Sequence, residues 1–298
     1  MAHWISALQA AIPFALNADR QSPLVLYDPF VMQLPIHVID AFTSERFKGN
    51  QAAVVPLAQW LPVSTLQAIA TENNLSETSF LVWSAERSAF EIRWFSPLKE
   101  IDFCGHATLA SAFVLFESDP TLQSITFWAA AVGNVLATRE SNGRILMTFP
   151  RRDARALDAP PAALREGLVP PPSCYLVNQQ AYVAVYPSEN DVLAVKPDLE
   201  RLKSLGPLDV VVTAPANTGA PYDFVSRYFW PANGGDEDPV TGSIHAALAP
   251  YWASRLGRNS LIGHQASRRT GTLFCEVTPS SVKVAGHCAR YLSGTITI

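Results

Sequence analysis

Glu77 is the polar residue in this sequence that packing explains least. It lies in the segment NNLSETSFLVW, where a carboxylate begins a hydrophobic run that has the composition of a β-strand. A carboxylate in such surroundings is suited to general acid or base catalysis, which needs a positioned proton acceptor. The alternative is structural, with Glu77 capping a turn through Ser76 or Thr78. We therefore take Glu77 as the first candidate for acid/base chemistry.

Two glycine-bearing segments, GHAT at 105–108 and TGS at 241–243, lead into runs of small hydrophobic residues. Such runs predict buried helices, because they are hydrophobic around the whole helix. The N-terminus of a helix presents unpaired N–H groups and the positive end of its dipole, so it can bind an anion. Gly105, Gly242 and Ser243 are thus candidates for binding a substrate carboxylate. Alternatively, the glycines only turn a strand into a helix.

Two further polar residues accompany these segments. His106 follows Gly105, and an ordinary pKa of about 6.5 suits a histidine to bind substrate or relay a proton. A histidine satisfied within the core is the alternative. Asp238 ends the acidic run 236–238, which lies just before the second glycine segment. Acidic runs are usually solvated loops, but this position makes Asp238 a candidate site residue.

An internal repeat indicates two similar lobes. The pattern RWFSP at 93–97 returns as RYFWP at 227–231, and the same offset places Cys104 opposite Asp238. The proline-rich segment 151–172 between the two copies lacks strand periodicity and is typical of a linker. We therefore predict a first lobe over residues 32–150 and a second lobe over residues 151–298.

Residues 1–31 are predicted to be an N-terminal extension, because strand-like alternation begins just after a second methionine, Met32. They lack the basic start and the small-residue cleavage site of a signal peptide. Further along, Leu66, Ile69 and Ala70 have helical spacing. This predicts an outer amphipathic helix over residues 63–73, capped by Ser64 or Thr65.

Composition excludes several classes of function. The 298 residues include 22 basic and 26 acidic ones without any run of Lys or Arg, which argues against nucleic-acid or anionic-membrane binding. No hydrophobic stretch approaches the roughly 20 residues that span a bilayer. The four cysteines lack CxxC spacing, and the histidines lack metal-ligand spacing, so we predict neither a disulfide framework nor a metal site. This pattern favours a soluble protein of the reducing cytoplasm.

Motifs of common cofactor-dependent and hydrolytic enzymes are also missing from the sequence. It has no GxGxxG after a strand, no Walker-type GxxxxGK, no HExxH and no GxSxG. Nicotinamide-dependent, nucleotide-dependent, zinc-protease and serine-hydrolase activities therefore lack their expected signals.

Several segments in their order resemble the phenazine-biosynthesis PhzF family, which shares the diaminopimelate epimerase fold. They are VIDAFTSERFKGNQAAVV, NNLSETSFL, FSPLKEIDFCGHATLA and DEDPVTGSIHAALAPYW. The resemblance covers nearly everything from about Met32 to Ile298. It implies an α+β fold with two duplicated lobes, each a mostly antiparallel sheet wrapped around a central buried helix. It also implies an active site between the lobes and a homodimer.

The resemblance also assigns roles to residues. It implies that Glu77 is the catalytic carboxylate and that His106, Asp238 and Ser243 are further active-site residues. Family members of known activity move a hydrogen within a cyclic unsaturated amino acid, without metal or organic cofactor. Related epimerases use one cysteine from each lobe as opposed acid and base. Because Asp238 stands opposite Cys104 here, the isomerase branch is favoured.

The resulting hypothesis is a cofactor-independent isomerase that moves a hydrogen on a small carboxylate-bearing substrate through Glu77. One alternative is an amino-acid racemase or epimerase that uses Glu77 or Cys104 as a single base. Another is a catalytically silent protein that binds a metabolite.

Overall fold

A computed structural model describes residues 32–298, so the predicted extension of residues 1–31 lies outside the described residues. The first ten strands are β1 (Gln33–Ala41), β2 (Asn50–Leu57), β3 (Glu77–Ser84), β4 (Ala89–Phe95), β5 (Glu100–Ile101), β6 (Ser124–Ala129), β7 (Gly133–Arg139), β8 (Ile145–Pro150), β9 (Arg155–Ala156) and β10 (Leu168–Val169). The other strands are β11 (Cys174–Val177), β12 (Ala181–Val185), β13 (Lys196–Pro197), β14 (Asp209–Pro215), β15 (Phe224–Trp230), β16 (Gly235–Asp238), β17 (Ser260–Gln265), β18 (Gly271–Val277), β19 (Ser281–Gly286) and β20 (Cys288–Thr297). The helices in this range are α1 (Val63–Asn73), α2 (Gly105–Ser118), α3 (Ala162–Glu166), α4 (Glu189–Ala194), α5 (Leu199–Lys203) and α6 (His245–Leu256).

One large sheet runs through both halves of this range. Neighbouring strands follow the order β20, β1, β2, β3, β4, β6, β7 and β8. Strand β8 pairs with β19, and the order continues through β18, β17, β15, β14, β12, β11 and β9. The pairs β2–β3, β4–β6, β12–β14 and β15–β17 are parallel, and the others along this path are antiparallel. The predicted α+β fold with a mostly antiparallel sheet is confirmed.

The repeat seen in the sequence corresponds to two sets of strands that pair in the same order. Strands β2, β3, β4 and β6 pair in the same parallel and antiparallel order as β12, β14, β15 and β17. Arg93 in β4 forms a two-pronged ion pair with Glu100 of the neighbouring β5, with both distances 2.6 Å. Arg227 in β15 pairs in the same way with Glu237 of β16, at 2.8 and 3.0 Å. The repeated arginine therefore joins equivalent strands in each copy.

Helices α2 and α6 are the central helices of the two copies. Every residue of α2 from Gly105 to Ala112 is buried, and this helix packs against β1, β2, β3 and β8. Helix α6 packs against β17, β18 and β19. Because strands surround these helices, they need hydrophobic residues on all sides, which is the pattern that predicted them.

Pro250 lies inside α6 without ending it, and the helix continues to Leu256. A proline lacks the N–H that would bond to the carbonyl four residues earlier. That carbonyl, on Ala246, instead accepts the backbone N–H of Arg152 at 3.1 Å. The segment that follows β8 thus satisfies the group that Pro250 leaves free.

Helix α1 has the bounds that its periodicity predicts, and Leu66, Ile69 and Ala70 are buried. The predicted cap is wrong, because the cap residue is Pro62 and no side chain bonds to the helix start. Ser64 and Thr65 lie inside the first turn, since the fixed φ of Pro62 already directs the chain into the helix. None of the helices in residues 32–298 is both long and hydrophobic enough to cross a bilayer.

The last strand of the chain pairs with the first strand described. Strand β20 runs antiparallel to β1 from the Gln33–Thr297 pair to the Ala41–Cys288 pair. The C-terminal strand thus extends the sheet of the N-terminal half. The lobe boundary at residue 150 stays a prediction.

Candidate active site

The candidate site lies where the N-terminal ends of α2 and α6 meet. Helix α2 begins at Gly105, and the loop 241–243 leads into α6. A Cβ atom added to Gly105 would lie 3.9 Å from the backbone nitrogen of Ser243, so the two ends are in near contact. Among residues 32–298, no side chain caps either helix start. The positive ends of both helix dipoles therefore lie next to each other.

A pocket of about 180 Å³ opens between these helix ends. Its wall contains all the predicted site residues, Glu77, Gly105, His106, Asp238, Gly242 and Ser243. A cavity of roughly 150 Å³ accepts a benzene ring, so this volume suits a substrate with one small ring. The structure thus brings the predicted residues together, while their individual roles stay predictions.

Glu77 and His106 form a buried ion pair on the pocket wall. Glu77 is the first residue of β3, pairs with Ala52 of β2, and is only 7% exposed. Its Oε2 atom lies 2.9 Å from Nε2 of His106. The Glu77 carboxylate is therefore held against His106 at the wall of the pocket.

The charge of His106 follows from its neighbours. Burial disfavours the imidazolium, but interactions with Cys104 and Glu77 outweigh burial and raise the pKa of His106 well above its ordinary value. Burial, together with the charge of Glu77, raises the pKa of Cys104 to about 11. The thiol therefore keeps its proton at neutral pH, and Glu77 is the negative partner of the His106 imidazolium.

Asp238 is held by neutral donors at the end of β16. Its Oδ1 accepts a hydrogen bond from Nδ2 of Asn50 at 2.7 Å, and its Oδ2 accepts one from the hydroxyl of Thr241. The same Asn50 nitrogen lies 3.1 Å from Nδ1 of His106. Burial raises the pKa of Asp238, although the His106 charge and these hydrogen bonds act in the opposite direction. Asn50 thus connects the two candidate residues.

Asn50 is a site residue that the sequence analysis missed. It is fully buried at the start of β2 and follows Gly49, which has a φ of 65°. A Cβ atom on Gly49 would lie 2.1 Å from the carbonyl oxygen of Ala41, so only glycine fits there. The segment GNQAAVV contains a signal for this residue, because an amide side chain stands at the start of a hydrophobic strand. Glu77 is the corresponding case of a carboxylate at the start of a strand.

The loop before α6 is fixed from two sides. A Cβ atom on Gly242 would lie 2.9 Å from the ring of the buried Phe42. The hydroxyl oxygen of Ser243 accepts a hydrogen bond from Nε2 of Gln180 at 2.9 Å. Gln180, Asp209 and Tyr228 also line the pocket, and the sequence analysis missed all three. They come from a turn and two separate strands, so no local pattern marks them.

Glu77, Cys104 and His106 are also a possible set of metal ligands. One donor atom from each residue lies within 4.8 Å of the others. A thiolate, an imidazole and a carboxylate are ligands that Zn²⁺ accepts. The raised pKa of Cys104 works against this use, because a thiol must lose its proton to bind the metal. The expected absence of a metal stays a prediction.

A family model described as phenazine biosynthesis-like protein matches residues 39–294. The chain belongs to this PhzC-PhzF family. An uncharacterized isomerase of Pseudomonas aeruginosa is 41% identical over 266 residues, which cover 89% of this chain and 99% of the relative. Another relative, the human phenazine biosynthesis-like domain-containing protein, is 36% identical over 289 residues, with 89% of this chain and 100% of the relative covered.

A solved PhzF-family structure from Enterococcus faecalis is similar with a TM-score of 0.83 and 37% identity, over 89% of this chain and 99% of that one. Membership in this enzyme family confirms the predicted class, a PhzF-like isomerase. The six predicted residues and Asn50 are therefore the candidate active site of an enzyme.

Proposed function

We propose that this enzyme moves a hydrogen within a small carboxylate-bearing substrate, with Glu77 as the acid and base and without a metal or organic cofactor. One observation carries the proposal. The Glu77 carboxylate is buried at the wall of a pocket between two helix N-termini, with His106 as its ion-pair partner. A base that is held in place with little contact with water is suited to remove a proton from carbon.

The substrate carboxylate binds at the helix ends in this proposal. Gly105, Gly242 and Ser243 line the pocket at the starts of the two helices, and a helix start leaves backbone N–H groups without intrahelical partners. Two helix dipoles stabilise an anion there without a lysine or arginine. This arrangement places the carbon skeleton of the substrate toward Glu77.

The charges of Glu77 and His106 explain the proposed proton transfer. Glu77 takes a proton from carbon and returns it to another carbon of the same conjugated system. When Glu77 becomes neutral, the His106 imidazolium is left without its negative partner. Its positive charge then stabilises the negative charge that develops on the substrate. Asp238, held by Asn50 and Thr241, orients the substrate.

The experiment is turnover of small unsaturated ring carboxylates and amino acids in D₂O, followed by NMR and mass spectrometry. We expect the product to retain part of the substrate hydrogen, because a buried Glu77 carries it between carbons before it exchanges with solvent. Glu77→Gln should lower the rate about 10²- to 10⁴-fold, the usual contribution of a general base. Glu72→Gln, an exposed change on α1, should leave the rate unchanged.

Three results would contradict parts of this proposal. Wild-type turnover by Glu77→Gln would exclude Glu77 as the base. Exchange at Cα with inversion would identify an epimerase instead. A loss of activity after treatment with a chelator would show that a metal is required. The expected homodimer and cytoplasmic location also stay predictions.

A further inference from the structure

Asp209 lies on the pocket wall and has no cationic partner among the described residues. It is the first residue of β14, and its oxygens accept hydrogen bonds from the Tyr228 hydroxyl at 2.6 Å and from Nδ2 of Asn233 at 2.7 Å. It forms no ion pair within the described part of the chain, whereas the half-buried Glu237 pairs with Arg227. Burial raises the pKa of Asp209 despite its two hydrogen bonds. A carboxylate held in this way has acceptor capacity left for a ligand.

Hydrogen bonds connect Asp209 to the end of α6. Nε2 of Gln180 donates to the hydroxyl oxygen of Ser243 at 2.9 Å and to that of Tyr228 at 3.1 Å. Tyr228 in turn donates to Asp209. All four side chains line the pocket, so this wall extends from the proposed carboxylate position to Asp209. A small substrate bound at Ser243 therefore has its other side near Asp209.

The charges on the pocket wall restrict what can bind there. Glu77, Asp209 and Asp238 contribute carboxylates, and His106 contributes the one basic side chain among the described lining residues. The two helix ends provide further positive potential, but only at the carboxylate position. A second anionic group on the substrate would approach the carboxylates without a lysine or arginine to offset their charge.

We propose that Asp209, positioned by Tyr228 and Gln180, is a specificity-determining residue. It accepts a hydrogen bond from an amino or hydroxyl substituent of the substrate and disfavours substrates with a second anionic group. The inference rests on the proposed function for the position of the substrate carboxylate.

Binding of matched ring carboxylates tests this inference without turnover. The ligands are benzoate, the three aminobenzoate isomers and benzene-1,2-dicarboxylate, and calorimetry gives the Kd of each. We expect the full-length enzyme to bind one aminobenzoate about tenfold or more tightly than benzoate, as a hydrogen bond to a charged acceptor provides. The dicarboxylate should bind most weakly of the ligands.

Variants separate Asp209 from its surroundings. Asp209→Asn should reduce the preference for the aminobenzoate to less than about threefold and should improve binding of the dicarboxylate. Tyr228→Phe keeps the carboxylate and should have an intermediate effect. Asp158→Asn removes the same charge at an exposed position and should leave every ratio unchanged. The melting temperature of each variant checks that it folds.

The inference is overturned if Asp209→Asn keeps the wild-type ratios, if the dicarboxylate binds as tightly as the best aminobenzoate, or if none of the ligands binds. If Asp209→Asn does not fold, the inference is still tested by the preference of the wild-type enzyme for an aminobenzoate and by the effect of Tyr228→Phe on that preference. These ratios do not depend on proton transfer by Glu77. Failure here and failure of the Glu77 exchange experiment are therefore distinguishable.

Discussion

The two helix ends that meet at the pocket come from duplicated halves but carry different chemistry. Beside the start of α2, Glu77 and His106 form a pair whose charges change when a proton moves. Beside the start of α6, Asp238 is held by the neutral donors Asn50 and Thr241. The duplicated fold provides two helix N-termini, and different side chains lie beside each of them. We infer that the first half transfers the proton and the second half holds the substrate.

Two histidines, one at the start of each helix, also differ between the halves. His106 and His245 each lie in the first turn of their helix, and both are buried. Negative neighbours raise the pKa of His106 well above its ordinary value in spite of burial. Burial lowers the pKa of His245 to about 4, and a single backbone carbonyl, of Thr241, opposes this. Burial alone therefore does not decide the charge of a histidine; the charges beside it do.

The largest effect among these contrasts is expected at the mirrored positions, where Asp238 should matter more than Cys104. Asp238→Asn should lower kcat/KM about 10²-fold or more, because it removes a charge held beside His106 and the substrate. Cys104→Ala should cost less than about tenfold, since a thiol with a pKa of about 11 keeps its proton. Steady-state kinetics with the best substrate of the exchange assay measures both. The opposite ranking would indicate a cysteine base and favour the epimerase alternative.

The histidine contrast predicts a pH dependence of stability. The pKa of His245 is lower in the folded state than in the unfolded state, so its neutral form stabilises the fold above about pH 6.5. This stability is lost as the pH falls from about 6.5 to 4 and amounts to on the order of 3 kcal/mol. His245→Asn keeps a donor for the Thr241 carbonyl and should flatten this part of the profile, measured by urea unfolding.

His106 should behave oppositely. Its raised folded pKa contributes stability below about pH 6.5, and this is lost only as the pH rises through the folded pKa. His106→Asn should therefore leave the His245 contribution to the acid side of the profile in place. An acid slope that persists in His245→Asn would show that other groups cause it.

The smallest effect is expected from the two glycines of the helix ends. Gly242→Ala should lower the free energy of unfolding by about 1–3 kcal/mol, because its Cβ meets the ring of the buried Phe42. Gly105→Ala should change it by less than about 0.5 kcal/mol, since the nearest atoms lie 3.7 Å or more away. Its methyl group points toward Ser243 and should instead weaken binding of the ring carboxylates. Equal destabilisation by both changes would contradict the contrast.

Local patterns predicted much of the fold and part of the site. Periodicity or repetition within short segments predicts the bounds of α1, the buried helices α2 and α6, and the equivalent strands β4 and β15. Glu77 was found because a carboxylate interrupts a hydrophobic run. Asp209, Tyr228 and Gln180 were not found, because each is ordinary among its chain neighbours and gains its position only from hydrogen bonds to distant residues.

The sequence by itself determined two buried helices that follow glycine-bearing segments, because hydrophobic periodicity and turn residues act between neighbours in the chain. Only the tertiary structure decided that these starts face one pocket and that His106 lies 2.9 Å from Glu77. It also decided that neighbouring groups raise the pKa of His106 while burial lowers the pKa of His245. Burial and Coulomb interactions depend on distance in space, and residues far apart in the chain set that distance.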